Sequence, residues 1–127
     1  MIAIPTEHQE QCALFEWQAW MAKRIPELHL MHAIPNGGKR DIRTAAMLKA
    51  EGVKPGVPDI FLPVSRGGKH GLYIELKRRK GGTVSKAQEA WIRALTHQGY
   101  VCTVCYGADE AKNEILDYLA LRSKEDK

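Results

Sequence analysis

Two carboxylates and a lysine fall within one stretch of the chain where they could bind a divalent cation. Asp59 follows a proline, and Glu75 is separated from Lys77 by one residue. Side chains two residues apart on a β-strand project from the same face, so Glu75 and Lys77 should lie side by side. Proteins hold Mg²⁺ with a few carboxylate oxygens, water and substrate phosphate. The amine beside such an ion could orient an attacking water molecule or help to deprotonate it.

Each part of this pattern is commonplace by itself. A Glu-x-Lys pair on a strand is usually a solvated surface pair, and a Pro-Asp dipeptide is usually a turn. The combination is more informative, because apolar residues accompany both motifs and a polar, Gly-rich segment, residues 65–71, separates them. The stretch 56–77 therefore predicts a β-hairpin with both carboxylates and the lysine at one end. In its second strand, alternation separates two faces, formed by Leu72, Ile74 and Leu76 and by Tyr73, Glu75 and Lys77.

The remaining chain provides elements on both sides of this hairpin. They are, in order, a helix from a Thr6/Gln9 capping box to Pro26, a short strand over 28–34, a helix that ends at Gly52, the hairpin, a helix that Ser85 begins, a strand over 100–106 and a closing helix through 111–119. Leu14, Trp17, Met21 and Ile25 recur at helical spacing and should face the core. Trp20 falls outside this stripe.

The motifs also carry a resemblance to a known family. Pro58-Asp59 followed by Glu75-Leu76-Lys77 resembles the PD-(D/E)xK nuclease signature. Three longer strings resemble its virus-type replication-repair nuclease (VRR-NUC) branch: Pro35-Asn36-Gly37-Gly38, residues 52–59 and Ile74-Glu75-Leu76-Lys77. The resemblance extends from about Thr6 to Leu119. It implies an α/β fold of the restriction-endonuclease type, with a mixed β-sheet flanked by helices on both faces.

The resemblance implies a set of catalytic residues around the hairpin. Asp59, Glu75 and the backbone carbonyl of Leu76 would bind Mg²⁺ or Mn²⁺, and Lys77 would position the attacking water.

One acid of the first helix is also expected to serve the metal site through a water molecule. The family uses a Glu-x-x-x-Gln arrangement, which Glu7 and Gln11 match. We therefore expect Glu7 in this role, with Glu10 as the alternate. The ordinary alternatives are a favourable acid in the first helical turn for Glu7 and a solvated side chain for Glu10.

Gln88 has two competing interpretations. It lies three residues after Ser85, which predicts a capping box. The resemblance instead places a glutamine at this position pointing into the site, in a Ser-x-x-Gln-x-x-Trp string that ends here at Trp91. We treat the two roles as exclusive and favour the site.

Positive charge is concentrated around these motifs. Residues 38–80 contain 11 Lys or Arg against 4 acids, whereas the whole chain has a net charge of +4. Such clustering favours a polyanionic substrate. The candidate DNA-binding residues are Asn36, Gly37, Lys39, Arg40, Arg43, Lys54, Arg78, Arg79 and Lys80.

Composition limits the remaining possibilities. The 127 residues, 44% hydrophobic and 27% charged, suit one domain over 1–127, with a core over about 6–120 and a charged tail over 121–127. There is no apolar run of the roughly 20 residues that a membrane span needs and no signal-peptide pattern, so we expect a cytoplasmic protein. Three cysteines argue against a disulfide framework, and Cys102 and Cys105 should face opposite ways on a strand, which disfavours zinc.

The resulting hypothesis is a metal-dependent endodeoxyribonuclease. Stand-alone members of the similar family are small, often bacterial or phage-borne, and are implied to cut branched DNA such as four-way (Holliday) junctions as homodimers. The alternatives are a flap, single-strand or restriction-type nuclease that uses the same site, a catalytically silent DNA-binding subunit, and a structural protein with surface ion pairs.

Overall fold

The computed structural model of the protein describes residues 3–35 and 42–123. Its elements are α1 (Glu7–Met21), a 3-10 helix (Pro26–Leu30), β1 (His32–Ala33), α2 (Ile42–Ala50), β2 (Ile60–Leu62), β3 (Leu72–Lys77), α3 (Lys86–His97), β4 (Val101–Tyr106) and α4 (Ala108–Leu119). In this part of the chain, the four strands form one mixed sheet in the order β1-β2-β3-β4. β2 is antiparallel to both β1 and β3, and β4 is parallel to β3.

The predicted hairpin is confirmed, with β2 and β3 as its strands. Ile60 pairs with Ile74 and Leu62 with Leu72, so that these apolar side chains share one face of the sheet. All four are buried. α1 and α4 pack together on this face, where Leu14 and Ile115 are completely inaccessible.

The opposite face of the sheet carries Tyr73, Glu75 and Lys77, as the alternation predicted. α3 lies on this side, because Gln88 of α3 contacts both Glu75 and Lys77. Farther along β3, Tyr73 stacks on Phe61 of β2 with ring centroids 4.2 Å apart. The helices therefore flank both faces of a mixed sheet, and this confirms the predicted α/β architecture.

The predicted strand over 28–34 is wrong. The chain forms the 3-10 helix at this point, and only His32 and Ala33 pair with β2. The reason is a contact with α1, because Gln18 Nε2 donates hydrogen bonds to the carbonyl oxygens of Leu28 (2.6 Å) and Met31 (2.8 Å). These bonds hold the segment in a turn that an extended strand could not make.

The first helix also ends earlier than expected, at Met21. A proline disfavours helical geometry in the residue before it, and Ile25 has a φ of −122° and a ψ of 86°. Met21 and Ile25 still pack against the core, as the stripe predicted.

α2, like α3, has no buried residue. It ends as predicted at Gly52, where the amide of Val53 bonds to the carbonyl of Leu48 at 2.9 Å. None of the described helices has the length and apolar character to cross a membrane.

Candidate active site

β3 places Glu75 and Lys77 side by side on the face opposite the main core. Glu75 is 1% exposed and Lys77 7% exposed. The Lys77 Nζ atom lies 3.6 Å from Glu75 Oε2 and donates a 3.0 Å hydrogen bond to Gln88 Oε1. The predicted pair is therefore a buried one rather than a solvated surface pair.

Asp59, the residue directly before β2, lies at the same site. Its Oδ2 accepts a 2.8 Å hydrogen bond from the backbone amide of Leu76, which fixes the carboxylate beside β3. Its own carbonyl accepts a bond from the Ile34 amide, which joins it to the segment after β1. Asp59 is 6% exposed, so this residue is buried within the protein.

Gly56 allows the loop before Asp59 to press against the first turn of α3. Its φ is +92°, and a Cβ atom there would lie 2.7 Å from the backbone carbon of Ala87. Any other residue would combine a strained backbone with a clash against main-chain atoms. Gly56 therefore holds Asp59 and the neighbouring Gln88 in register across the site.

Burial gives Glu75 an unusual protonation equilibrium. Desolvation, followed by the charge and hydrogen bonding of Asp59, raises the pKa of Glu75 to about 8. Its Oε2 accepts a 3.1 Å bond from Gln88 Nε2, but its Oε1 is buried without a hydrogen-bond partner among the described residues. A buried acceptor without a partner is costly, and a bound ion or water molecule is one way in which such an atom is satisfied.

Gln88 fills both roles that the sequence had suggested, so treating them as exclusive was wrong. Its backbone amide donates to Ser85 Oγ, and its side-chain Oε1 accepts from the Ser85 amide at 2.8 Å, which completes the capping box. The same Oε1 accepts from Lys77 Nζ, and Nε2 donates to Glu75. An amide oxygen has two lone pairs and the NH₂ group has two hydrogens, so one side chain can make all these bonds.

The two acids of α1 point to different places. Glu7 is exposed, and partial desolvation followed by the nearby Asp59 raises the pKa of its carboxyl group, with Lys77 acting in the opposite direction. Its charge also contributes to the raised pKa of Glu75. Glu7 is therefore close enough to Asp59 and Lys77 to feel their charges, and its role at a metal site stays a prediction.

Glu10, the alternate, lies elsewhere. It is 2% exposed and pairs with Arg79 at 2.8 Å. The alternative interpretation of a solvated side chain is wrong, because the carboxylate is buried at the start of α4.

Asp59 and Glu75 are the carboxylates of this site that could hold a hard divalent cation. Asp59 and Glu75 supply oxygen ligands, and the unpartnered Glu75 Oε1 is free to accept a further contact. Among residues 3–35 and 42–123, no group of three or more His, Cys, Asp or Glu side chains forms a ready-made cage. This composition fits Mg²⁺ or Mn²⁺ better than zinc, because Mg²⁺ is commonly held by one or two carboxylates plus water and phosphate.

The predicted DNA-binding residues divide into three groups. Arg43, Lys54 and Lys80 are exposed. Asn36, Gly37, Lys39 and Arg40 lie outside the described residues. Arg78 and Arg79 are exposed as well, but they also make hydrogen bonds to the protein itself.

No local pattern of residues indicates this internal role of Arg78 and Arg79. The only available signal was the position of Glu10 on the first turns of a helix that had to meet the end of β3. A buried acid needs a partner, and the basic run 78–80 was the nearest candidate along the hairpin.

Comparisons with known proteins agree with this architecture. The sequence model of the VRR-NUC domain matches residues 1–109. A solved structure described as a VRR_NUC domain protein resembles the chain with a TM-score of 0.78 and 30% sequence identity, covering 95% of this chain and 93% of that chain. No curated protein matches the sequence.

Proposed function

Because this chain belongs to the VRR-NUC family of nucleases, we propose that it is a metal-dependent endonuclease that hydrolyses phosphodiester bonds in branched DNA. One observation supports the metal dependence in this proposal, namely the surroundings of the Glu75 carboxylate. Its carboxylate is buried beside Asp59, and one of its oxygens lacks a hydrogen-bond partner in the described chain. A divalent cation would satisfy that oxygen and offset the repulsion between the two acids.

The proposed metal ligands are Asp59, Glu75 and the backbone carbonyl of Leu76. A bound Mg²⁺ or Mn²⁺ would polarise the scissile phosphate and lower the pKa of a water molecule. The Leu76 amide holds Asp59 Oδ2 and so fixes the direction of its carboxylate. Glu7, at the edge of the cluster, would hold a further water.

Lys77 and Gln88 are proposed to act on the water and on the charge that develops at phosphorus. The Lys77 ammonium is buried and lies within 3.6 Å of the Glu75 carboxylate. This ammonium also donates a hydrogen bond to Gln88. Held in this position, it would orient the nucleophile and balance negative charge in the transition state. Gln88 would keep the amine and the acid in a constant relation during turnover.

DNA binding is assigned to the exposed basic residues around the site. Arg43, Lys54 and Lys80 present their charge to solvent, and Asn36, Gly37, Lys39 and Arg40 remain candidates. Contacts of this kind go to phosphates and fix the position of the duplex without reading its sequence. They suit recognition of DNA shape, which is why a branched substrate is proposed.

A panel of labelled substrates tests this proposal. A four-way junction, a flap, a single strand and a linear duplex are incubated with the protein, with and without Mg²⁺ or Mn²⁺. Preferred cutting of the junction supports the proposal, and preferred cutting of the flap, single strand or duplex assigns one of the other specificities. Binding without any cutting would instead indicate a catalytically silent DNA-binding subunit.

We also propose a homodimer as the active form, because paired sites suit symmetric cutting of a junction. Trp20 is 68% exposed on α1, which is consistent with an interface anchor. In the described part of the chain, no strand covers the outer edge of β4. Uncovered edges are common sites of strand pairing between chains.

A further inference from the structure

Two arginines directly after Lys77 hold α1 on both sides of Glu7. Arg78 donates from Nε to the carbonyl of Pro5 and from Nη2 to the carbonyl of Ile4, both at 3.3 Å. Arg79 donates from Nε to Glu10 Oε2 at 2.8 Å and from Nη2 to Glu10 Oε1 at 3.4 Å. We call Arg78 and Arg79 the arginine clasp.

The Glu10 end of the clasp is tied to a second helix. The residue before α4 is Gly107, which has no side chain that could cap the helix. The Glu10 carboxylate takes this place, because its Oε1 accepts a 3.4 Å hydrogen bond from the amide of Ala108. An acid at a helix N-terminus is further stabilised by the helix dipole. Glu10 therefore joins α1, α4 and Arg79.

The same junction fixes the backbone of Lys77. The amide of Gly107 donates a 2.9 Å bond to the carbonyl of Lys77. A Cβ atom on Gly107 would lie 2.9 Å from both Arg79 Cγ and Glu10 Oε2, and its φ is +97°. Only glycine allows this close packing. The clasp is thus fastened to the strand end that presents the proposed catalytic lysine.

The guanidinium of Arg79 already faces acidic side chains of the protein itself. Its partner Glu10 is 2% exposed. Asp109 Oδ2 lies 3.9 Å from Arg79 Nη2. The Arg79 side chain is 50% exposed, but the two acids beside it offset part of its attraction for a phosphate. Releasing it to bind DNA would leave the buried Glu10 carboxylate without its partner, which is costly.

We propose that Arg78 and Arg79 are positioning residues that hold Glu7 at the metal site, rather than residues that bind DNA. Arg78 holds the chain at Ile4 and Pro5, just before α1, and Arg79 holds α1 at Glu10, one turn after Glu7, so the backbone is fixed on both sides of Glu7. This inference rests on the proposed metal-dependent function, because it assigns a purpose to the position of Glu7.

A double-mutant cycle with Mn²⁺ alone tests the clasp without relying on cleavage. Mn²⁺ affinity is measured by electron paramagnetic resonance for wild type, Glu7→Ala, Arg79→Ala and the double variant. Outer residues that orient a metal site typically change affinity by about 10–100-fold. We expect each single variant to weaken Mn²⁺ binding, and the double variant to be no weaker than Glu7→Ala. Multiplying effects in the double variant would overturn the proposal.

Two further variants separate positioning from DNA binding. Arg79→Lys retains the charge but loses the two-pronged contact with Glu10, so it should weaken Mn²⁺ binding while DNA affinity stays constant. Lys80→Ala, at the next residue, should weaken DNA binding in a salt-dependent way and leave Mn²⁺ affinity unchanged. A loss of DNA affinity in Arg79→Ala equal to that in Lys80→Ala, with normal Mn²⁺ binding, would contradict the clasp.

Folding and the parent proposal are checked with the same samples. Arg79→Lys and Glu10→Gln serve in place of Arg79→Ala if that variant fails to fold. If the wild type neither binds Mn²⁺ nor cuts DNA, the proposed function fails and the clasp with it. If the wild type binds Mn²⁺ through Asp59 but the cycle is additive, only the clasp is wrong.

Discussion

Gln88 Nε2 donates a 3.1 Å hydrogen bond to Glu75 Oε2, and so links the capping box of α3 to the carboxylate at the centre of the site. The other end of the same amide receives bonds from Lys77 Nζ and from the Ser85 amide. The beginning of α3 is therefore also a wall of the site. The Gln88 side chain thus connects the start of α3 to both Glu75 and Lys77.

Replacing Gln88 should affect both stability and rate, whereas replacing Ser85 should affect stability alone. Ser85→Ala removes the hydroxyl that caps the Gln88 amide and should cost about 0.5–2 kcal/mol of unfolding free energy. Gln88→Ala also releases Lys77 and Glu75, so it should slow cleavage by folded protein. Thermal melts and single-turnover rates check this, and equal rates for the two variants would contradict the site role of Gln88.

Asp59→Asn and Glu75→Gln should each reduce cleavage by about three orders of magnitude, because each removes a charged metal ligand while keeping its shape. The amide variants are preferable to alanine, since both acids are buried and Asp59 also satisfies the Leu76 amide. Circular dichroism shows whether the fold is retained. Near-normal cleavage by either folded variant in the presence of metal would mean that the site is misplaced.

The metal-free protein should become less stable as the pH rises from about 4.5 to 8. Burial raises the pKa of Glu75 from 4.5 to about 8, so in this window the folded protein holds a proton that the unfolded chain releases. Folding is then favoured at the lower pH, and the advantage is lost as the pH rises through the folded pKa. Melting in EDTA at several pH values measures this.

Glu75→Gln is the control for that pH dependence. It cannot ionise, so the difference in melting temperature between this variant and the wild type should grow towards pH 8. A difference that is constant with pH would contradict the raised pKa. Mn²⁺ should remove the wild type's loss of stability, because a cation replaces the proton.

The proposed homodimer should sediment at twice the 14.3 kDa chain mass at micromolar concentration. Trp20→Ala should shift the equilibrium towards monomer if this exposed side chain lies in the interface. Analytical ultracentrifugation of both proteins checks this. A 14.3 kDa monomer that nicks both strands of a junction together would reject the dimer.

The site residues on the hairpin were predictable because strand alternation is a local rule. A period of two places Glu75 beside Lys77 wherever the strand lies, and the glycine-rich turn returns the chain so that Asp59 is nearby. The starts of α1 and α3 and the end of α2 were also predictable from local signals, namely Thr6, Ser85 and Gly52.

The errors arose where a distant contact decided the outcome. The segment after Pro26 forms a turn because Gln18 of α1 binds its carbonyl groups, and no local pattern shows this. Glu10 is buried because α4 and Arg79 meet it from far along the chain. For Gln88, the sequence supplied both roles, but only the positions of Ser85 and Lys77 show that one amide serves them together.

The most direct test of the central claim is cleavage of a labelled four-way junction in Mg²⁺ or Mn²⁺ and in EDTA, with DNA binding measured alongside by mobility shift. The wild type should cut the junction only when Mg²⁺ or Mn²⁺ is present, and Glu75→Gln should not cut it. DNA binding should persist in EDTA but weaken steeply with salt. Cleavage that continues unchanged in EDTA, or that Glu75→Gln performs at the wild-type rate, would contradict a metal centre at Asp59 and Glu75.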